Sequence, residues 1–322
     1  MKTLRIIFLV CVISFAFCSS DLLAAKKVIP IYTPGAGGTA YFLAGAIAKV
    51  VNKYVPEVQM MVEATGGTPN MVKFMAEKYE KKQEAFATPD SKVAYLGYAG
   101  KPPFTKEYKF LRGITFLYGA GVNLVVNKNS PVKTYYDVKG KKIALGAAGS
   151  GTAEIAQELI AAHGITRDMY KALWLSYKEV VEGIQDDSIH AGFIAGAYPI
   201  PAMQELSLRR EIRVIPVEEK ILKKVIEVNP YLYSDTLKAG AYKGMDKETP
   251  ILVFGVGFVT HDVVDAGLVY KIIKALYDHR NELIEIHPVA KEMDLKNAFR
   301  TIVYPMHPGA EKYYKEVGVI KK

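Results

Sequence analysis

The stretch IYTPGAGGTAYFLAGAIAKVV, residues 31–51, decides the fold class of this chain. A short apolar run ends at Thr33, a glycine-rich turn follows, and apolar residues then recur at helical spacing from Leu43 to Val51. A buried strand that turns directly into an amphipathic helix is the unit from which parallel α/β sheets are built. The turn is also a candidate site, because glycine admits a ligand to the backbone and a helix N-terminus favours an anion.

The same strand-to-helix pattern recurs, which predicts two α/β lobes. A strand at residues 58–65, a helix from Thr68 to about Tyr79 and a short strand ending near Asp90 complete the first series. A second series runs over residues 142–217. We expect its helices to begin at Ser150, Ser176 and Pro199, listed here in chain order.

Two long apolar runs, at residues 114–128 and 249–261, are predicted to be strands that cross between the lobes. The predicted first lobe comprises residues 26–117 and 256–322, the second comprises residues 118–255, and a ligand cleft lies between them. Residues 263–284 and 290–317 are predicted to be largely helical and to pack on the first lobe.

Residues 1–25 have the pattern of an export signal. Lys2 and Arg5 precede a continuous apolar run at residues 6–17, and the small residues Ala24 and Ala25 follow. The apolar run is too short to span a bilayer comfortably. We therefore predict cleavage after Ala25 and a periplasmic location.

Cysteine usage limits the chemistry of the exported part. The chain has two cysteines, Cys11 and Cys18, and both lie within the predicted signal. The processed chain would then have no disulfide, no thiolate nucleophile and no cysteine-ligated metal. A lipid anchor at Cys18 is disfavoured, because the bulky Phe17 precedes it.

Charge and composition indicate a globular protein that does not bind nucleic acid. Half of the residues are hydrophobic, and the formal net charge is +9. The lysines are scattered along predicted helix faces and form no basic stripe. The positive balance modestly favours anionic ligands.

Three predicted turns combine glycine with hydroxyl side chains at a helix start. In an open α/β sheet such turns lie at the carboxyl ends of the strands, where ligands bind. Free backbone N–H groups and the helix dipole would hold an anion there, and the hydroxyls add donors. A single turn of this kind is equally explained as a helix cap. The residues concerned are Gly38, Thr39 and Tyr41, then Thr65, Gly67, Thr68 and Asn70, and finally Ser150 and Thr152.

Three further residues are placed where a cleft is expected. Asp90 ends the third strand and either accepts an amino group of a ligand or caps the next helix. Tyr198 either closes over a ligand or packs half-buried, and Pro199 lies beside it at the mouth of the second lobe.

Cofactor and catalytic motifs are missing from the sequence. GAGGTA at residues 35–40 does not fit the dinucleotide pattern, and no GxxxxGK[ST] or HExxH occurs. Ser150 lacks the GxSxG frame. His287 and His307, each followed by proline, are predicted to lie at helix boundaries. We predict no catalytic residue, no metal and no cofactor, and an exported hydrolase or transferase using Ser150 or a histidine is the weaker alternative.

Seven stretches together resemble the TAXI family, the extracytoplasmic solute receptors of TRAP transporters. They span most of the exported chain and include GAGGTAYFLAGAIA, EATGGTPNMVKFM, ATPDSKVAYLG, NLVVNKNSPVKTYYDVKGKKIALGAAGSGT, HAGFIAGAYPIPAMQEL, PILVFGVGFVTHDVV and PMHPGAEKYYKEVG. The resemblance implies a two-lobed periplasmic-binding-protein fold of type II. It also implies capture of a small organic acid or acidic amino acid (glutamate, 2-oxoglutarate or another dicarboxylate) and delivery to an integral membrane permease.

The resemblance also implies a set of ligand-binding residues in this chain. No arginine occurs in these motifs to clamp a carboxylate, so we expect an anion to rest on backbone N–H groups and hydroxyls. We expect a monomer, and a sensor that signals to a membrane kinase remains an alternative to transport. The implied set is Gly38, Thr39, Tyr41, Thr65, Gly67, Thr68, Asn70, Asp90, Ser150, Thr152, Tyr198 and Pro199.

Overall fold

Two long antiparallel strands form the centre of one mixed sheet in this computed structural model, which describes residues 26–34, 39–65, 68–148 and 150–321. The predicted export signal at residues 1–25 lies outside these ranges, as do the predicted ligand residues Gly38 and Gly67. Within the described ranges, no helix is long and apolar enough to cross a membrane.

The described residues form ten strands and ten α-helices. The strands are β1 (Lys27–Thr33), β2 (Val58–Ala64), β3 (Phe86–Ala87), β4 (Leu111–Asn127), β5 (Lys142–Ala144), β6 (Lys171–Leu173), β7 (Ala191–Gly196), β8 (Ile212–Ile215), β9 (Leu232–Leu237) and β10 (Thr249–His261). The helices are α1 (Thr39–Tyr54), α2 (Thr68–Glu80), α3 (Ser91–Tyr98), α4 (Gly151–Ala162), α5 (Tyr177–Gln185), α6 (Pro201–Arg209), α7 (Glu219–Val228), α8 (Ala266–Asp278), α9 (Arg280–Ile286) and α10 (Pro308–Glu316).

Strands β4 and β10 hold two groups of parallel strands in one sheet of order β2-β1-β3-β10-β4-β7-β5-β6. On one side β1 pairs in parallel with β2 and β3, and on the other β5 pairs in parallel with β6 and β7. Strand β8 also pairs with β4, and β9 pairs with β10. We call the β1–β3 group with its helices the first lobe and the β5–β7 group with its helices the second lobe. The predicted crossing strands are thus confirmed, whereas the residue-level lobe boundaries stay a prediction.

Each lobe buries an apolar core of its own. In the first lobe Ile31, Leu43 and Ile272 pack together, so α1 and α8 cover β1. In the second lobe Leu159 and Phe193 share a core that joins α4 to β7. Two separate cores joined by a pair of strands are what allow a cleft to form between the lobes.

Local signals at helix ends are confirmed. The Ser150 side chain accepts a hydrogen bond from the N–H of Ala153 and begins α4, and Gly164 follows that helix with a left-handed φ of 74°. Ser176 and Glu179 form the predicted capping box of α5. Both His287 and His307 accept a backbone N–H at a helix start.

The prediction that residues 290–317 are largely helical is wrong. Two short 3₁₀ turns, Pro288–Glu292 and Leu295–Asn297, precede the one α-helix of this region, α10. Between them and α10 the chain pairs with β4, because the N–H of Gly113 donates to the carbonyl of Pro305. Helix α6 also begins two residues later than predicted, at Pro201.

Helix α7 and strand β9 have no counterpart in the sequence-based prediction, and helix α3 was anticipated only by the alternative that Asp90 is an N-cap. Helix α7 carries Ile221, Leu222 and Val225 at helical spacing on its buried face. This apolar periodicity is a sequence signal from which the helix could have been predicted. Strand β9 is a short edge strand whose residues from Tyr233 to Thr236 are only partly buried, and it has little apolar signal.

The fold predicts a pH dependence of stability through a buried histidine. His261 is 0% exposed, with the rings of Tyr79 and Phe110 against it. Burial lowers the pKa of His261 from 6.5 to about 4. The unfolded chain therefore binds more protons between these values, so this contribution is complete above pH 6.5 and falls as pH drops toward 4. The loss approaches about 3 kcal/mol.

His261→Phe should therefore show a shallower decline in the free energy of unfolding between pH 7 and pH 5 than the wild type. Urea unfolding at each pH measures this. His279→Gln is the control, because His279 lies at the surface, where its side chain is 35% exposed. An unchanged slope in His261→Phe would contradict the assignment.

Candidate functional site

A cleft of about 880 Å³ is lined by residues of both lobes and of the crossing strands. The first lobe contributes Thr39 at the start of α1 and Thr68 at the start of α2. The second lobe contributes Ser150 and Gly151 at the start of α4. The first N–H groups of a helix have no hydrogen-bond partner within that helix. The starts of α1, α2 and α4 therefore bring three sets of N–H donors to the same cleft.

Half of the predicted site residues line this cleft. Turns of both lobes thus contribute residues to one cleft, while ligand binding by these residues stays a prediction. The lining residues among them are Thr39, Thr68, Asp90, Ser150, Thr152 and Pro199.

Four predicted site residues are not among the cleft-lining residues. The Thr65 hydroxyl donates to the carbonyl of Thr33 at 2.9 Å, and the Asn70 amide donates to the carbonyl of Thr65 at 3.2 Å. Both side chains therefore stabilise the second turn. Tyr41 lies in the first turn of α1 with its ring edge-to-face on Phe42, whose side chain does line the cleft.

Tyr198 is the fourth of these residues, and it packs against a crossing strand. Its hydroxyl donates to Oδ1 of Asn123 at 2.6 Å. A Cβ atom on Gly121 would lie 2.1 Å from the Tyr198 hydroxyl, so the ring sits directly on the strand backbone. The structure thus matches the packing interpretation of Tyr198.

Asp90 both caps a helix and lines the cleft. Its Oδ1 accepts the N–H of Val93 at 2.8 Å, which begins α3, and the side chain of Thr68 hydrogen-bonds to the same carboxyl group. Burial raises the pKa of Asp90 above its usual value. Across the cleft, a Cβ atom on Gly151 would lie 3.6 Å from Oδ2 of Asp90. The two lobes therefore approach each other at this carboxylate.

A chain of hydrogen bonds holds the wall of the second lobe. The hydroxyls of Thr152 and Tyr177 lie 2.7 Å apart, and the Tyr177 hydroxyl accepts the N–H of Ala195 at 3.1 Å. Burial raises the pKa of Tyr177, so this phenol stays protonated at neutral pH. Residues from α4, α5 and β7 are fixed relative to one another by this one phenol.

Sequence reasoning missed four polar residues of the cleft, which are Thr88, Tyr118, Tyr177 and His287. Tyr177 follows the capping serine of α5, and Tyr118 lies within an almost uniformly apolar strand, so neither carried a distinguishing pattern. His287 was predicted as a helix-boundary residue, and it is one, but it also lines the cleft. Its Nδ1 accepts the N–H of Val289 at 3.2 Å.

The cleft lacks basic residues. Among its described lining residues there is no lysine or arginine, and Asp90 is the one carboxylate. In the described part of the chain, no group of three or more His, Cys, Asp or Glu residues could hold a metal ion. The residues present can therefore offer helix N–H groups, hydroxyls and one carboxylate to a solute.

An ion pair joins the lobes beside the cleft. Lys92 in α3 is 4% exposed, and its Nζ lies 2.7 Å from Oε1 of Glu158 and 3.4 Å from Oε2 of Glu154, both in α4. Helix α3 belongs to the first lobe, where Val93 joins a core with Tyr32. The contact therefore crosses from one lobe to the other at the edge of the site.

Comparison with family models adds an independent observation. The model of the NMT1-like family matches residues 31–318, which is most of the chain. The chain belongs to the NMT1-like family. The match includes the described residues of the cleft, from Pro34 to His287.

Solved structures similar to this NMT1-like chain include a solute-binding protein and the binding-protein component of a transporter. A TctC solute-binding protein from Polaromonas is 12% identical with a TM-score of 0.53, over 92% of this chain and 99% of that one. XAC2383 from Xanthomonas citri bound to ATP is 12% identical with a TM-score of 0.54, over 91% and 97%. A binding-protein component of an ABC phosphonate transporter from Pseudomonas aeruginosa is 11% identical with a TM-score of 0.52, over 82% and 79%. At these identities the likeness is one of fold, and the predicted two-lobed α/β binding-protein fold is confirmed.

Lys92→Met should favour an open arrangement of the lobes in this NMT1-like protein. The change removes the cation that crosses the cleft and leaves Glu154 and Glu158 unpaired. We expect a larger radius of gyration in small-angle X-ray scattering and a loss of stability of about 1–3 kcal/mol, since these glutamates are partly exposed.

Lys53→Met is the matched control for this experiment. Lys53 pairs with Glu282 at 3.1 Å, and both residues lie in helices of the first lobe. Its loss should leave the radius of gyration unchanged. Equal radii for Lys92→Met and the wild type would show that the ion pair does not hold the lobes together.

Proposed function

We propose that this protein is an extracytoplasmic solute-binding protein of a TRAP transporter of the TAXI type. It captures a small organic acid or acidic amino acid, such as glutamate, 2-oxoglutarate or another dicarboxylate, and delivers it to an integral membrane permease. Residues 1–25 would direct export to the periplasm. One observation carries the proposal: helix starts from two lobes converge on the same cleft.

The structural comparisons support a solute-binding function, and the sequence motifs support a transporter of the TAXI type. Two of the structural neighbours are named as a solute-binding protein and as a component of an ABC transporter. The resemblance to TAXI receptors over most of the exported chain favours a TRAP permease over an ABC permease.

The proposed ligand contacts divide into two groups. Thr39, Thr68, Ser150 and Thr152 offer hydroxyls or first-turn N–H groups from the cleft wall, and Asp90 adds a carboxylate. The other proposed residues would shape the turns that present these groups. They are Gly38, Tyr41, Thr65, Gly67 and Asn70, while Tyr198 packs on β4 and Pro199 lines the cleft.

The ligand would make hydrogen bonds to both lobes, and these bonds would determine both its affinity and the closure of the lobes. A hydrogen bond to a carboxylate contributes about 1.5–3 kcal/mol. Five or six such bonds suffice for micromolar affinity, about −8 kcal/mol, after the cost of ordering. Since only the closed form makes all of them, the ligand shifts the equilibrium toward closure, and the closed form would present the surface that the permease recognises.

Thermal unfolding with a panel of carboxylates and amino acids tests the proposal directly. A ligand present at about 100 times its dissociation constant adds about 2.7 kcal/mol of stability. Mass spectrometry should then recover the stabilising compound unchanged and at one molecule per chain. Release of a chemically altered product would favour a hydrolase or transferase instead.

Ser150→Ala should weaken binding of the compound found in that panel by about tenfold, because the change removes one donor to a carboxylate. It also removes the cap of α4 and lowers stability by about 1 kcal/mol. Isothermal titration calorimetry measures the affinity.

Ser176→Ala is the matched control, since Ser176 caps α5 in the same way and does not line the cleft. It should lower stability similarly and leave affinity intact. Equal affinity in both variants would remove Ser150 from the binding set.

A further inference from the structure

Asp90 is the one acidic side chain among the described residues that line the cleft, and no lysine or arginine lies there. We infer that the Asp90 carboxylate binds the ammonium group of the solute, so the protein selects amino acids over the corresponding acids that lack an amino group. This inference rests on the proposed function and narrows its ligand class. It assigns Asp90 a role in specificity beyond capping α3.

Asp90 forms no ion pair in the described part of the chain, although the charge of Lys92 favours its ionised form. Lys92 is close in sequence, but its Nζ contacts Glu158 and Glu154 on the other lobe. No lysine or arginine lines the cleft in the described ranges, and the turn residues outside those ranges are glycine and alanine. Desolvation raises the pKa of the partly buried Asp90 carboxyl, and a cationic ligand group placed beside it would favour its ionised form.

The Asp90 carboxylate lies between the two lobes. One oxygen, Oδ1, is engaged by the N–H of Val93, while Oδ2 faces Gly151 across the cleft. The carboxylate thus sits between the first lobe and the start of α4. A small group held there contacts both lobes at once, as a ligand that drives closure must.

The electrostatics of the cleft also constrain the ligand. The helix starts at Thr39, Thr68 and Gly151 favour a ligand carboxylate. A second anionic group brought beside Asp90 in the same low-dielectric space would be repelled. A zwitterion satisfies both parts of the cleft, with its carboxylate at a helix start and its ammonium at Asp90.

Capping alone does not explain the position of Asp90. Asp265 caps α8 with the same geometry, its Oδ1 accepting the N–H of Leu268 at 2.8 Å, and it does not line the cleft. Asparagine caps a helix about as well as aspartate. An Asp-to-Asn change therefore keeps the cap at either position and removes only the charge.

Paired ligands test the inference by calorimetry on the wild-type protein. The probes are the proteinogenic amino acids and their counterparts without the amino group, for example L-glutamate with glutarate and 2-oxoglutarate, and L-leucine with 4-methylpentanoate. We expect the amino acid of the best pair to bind at least about tenfold more tightly than its counterpart.

Asp90→Asn should remove most of this difference, and Asp265→Asn should preserve it. Counterparts that bind as tightly as amino acids, or an Asp90→Asn variant that keeps full discrimination, would overturn the inference and leave the proposed function standing. Binding of no probe from either series would overturn both. The comparison of paired ligands on the wild-type protein tests the preference for amino acids even if a variant does not fold.

Discussion

The start of helix α3 is the constraint on which the rest of the structure depends. Three consecutive residues each contact a different part of the molecule. Asp90 lines the cleft, the Ser91 hydroxyl donates to the carbonyl of Tyr231 and accepts the N–H of Gly255, and Lys92 pairs with α4 of the other lobe. Because burying Lys92 without its partners would be very costly, the arrangement holds only while both lobes are close together. The ligand site, the crossing strand and the lobe contact are therefore coupled through one turn of helix.

The crossing strands provide a backbone that admits such close packing. Gly119 of β4 is paired with Gly255 of β10, and neither position has room for a side chain. A Cβ atom would lie 2.0 Å from the Tyr233 hydroxyl at Gly119 and 1.8 Å from the Thr301 hydroxyl at Gly255. Glycine is needed at these two positions because other segments approach the backbone closely, and not because the backbone is left-handed. The strands that join the lobes are consequently contacted closely by the side chains of Tyr233 and Thr301.

What could be predicted from the sequence is what depends on nearby residues. Local periodicity predicts the strand-to-helix alternation and the long strands β4 and β10. Single capping side chains predict the helix starts at Ser150 and Ser176. The convergence of three glycine–hydroxyl turns followed from the rule that such turns share one edge of a sheet. Ser91 and Lys92 could not be recognised, because their partners lie up to 164 residues away and nothing local marks the pairing. Tyr177 enters the site for the same reason, through Ala195 on another element.

Several polar groups of the cleft are engaged in hydrogen bonds with neighbouring residues. The Ser150 oxygen accepts the N–H of Ala153, and no histidine bonds to it in the described part of the chain. The Tyr177 phenol is committed to Thr152 and Ala195, and His287 uses Nδ1 to cap a turn. A nucleophile requires a base within hydrogen-bond reach, and these hydroxyls instead complete helix starts. In the proposed complex, a solute that carries both charges would contact the helix starts and Asp90 together, and its binding energy would then favour the closed arrangement of the lobes.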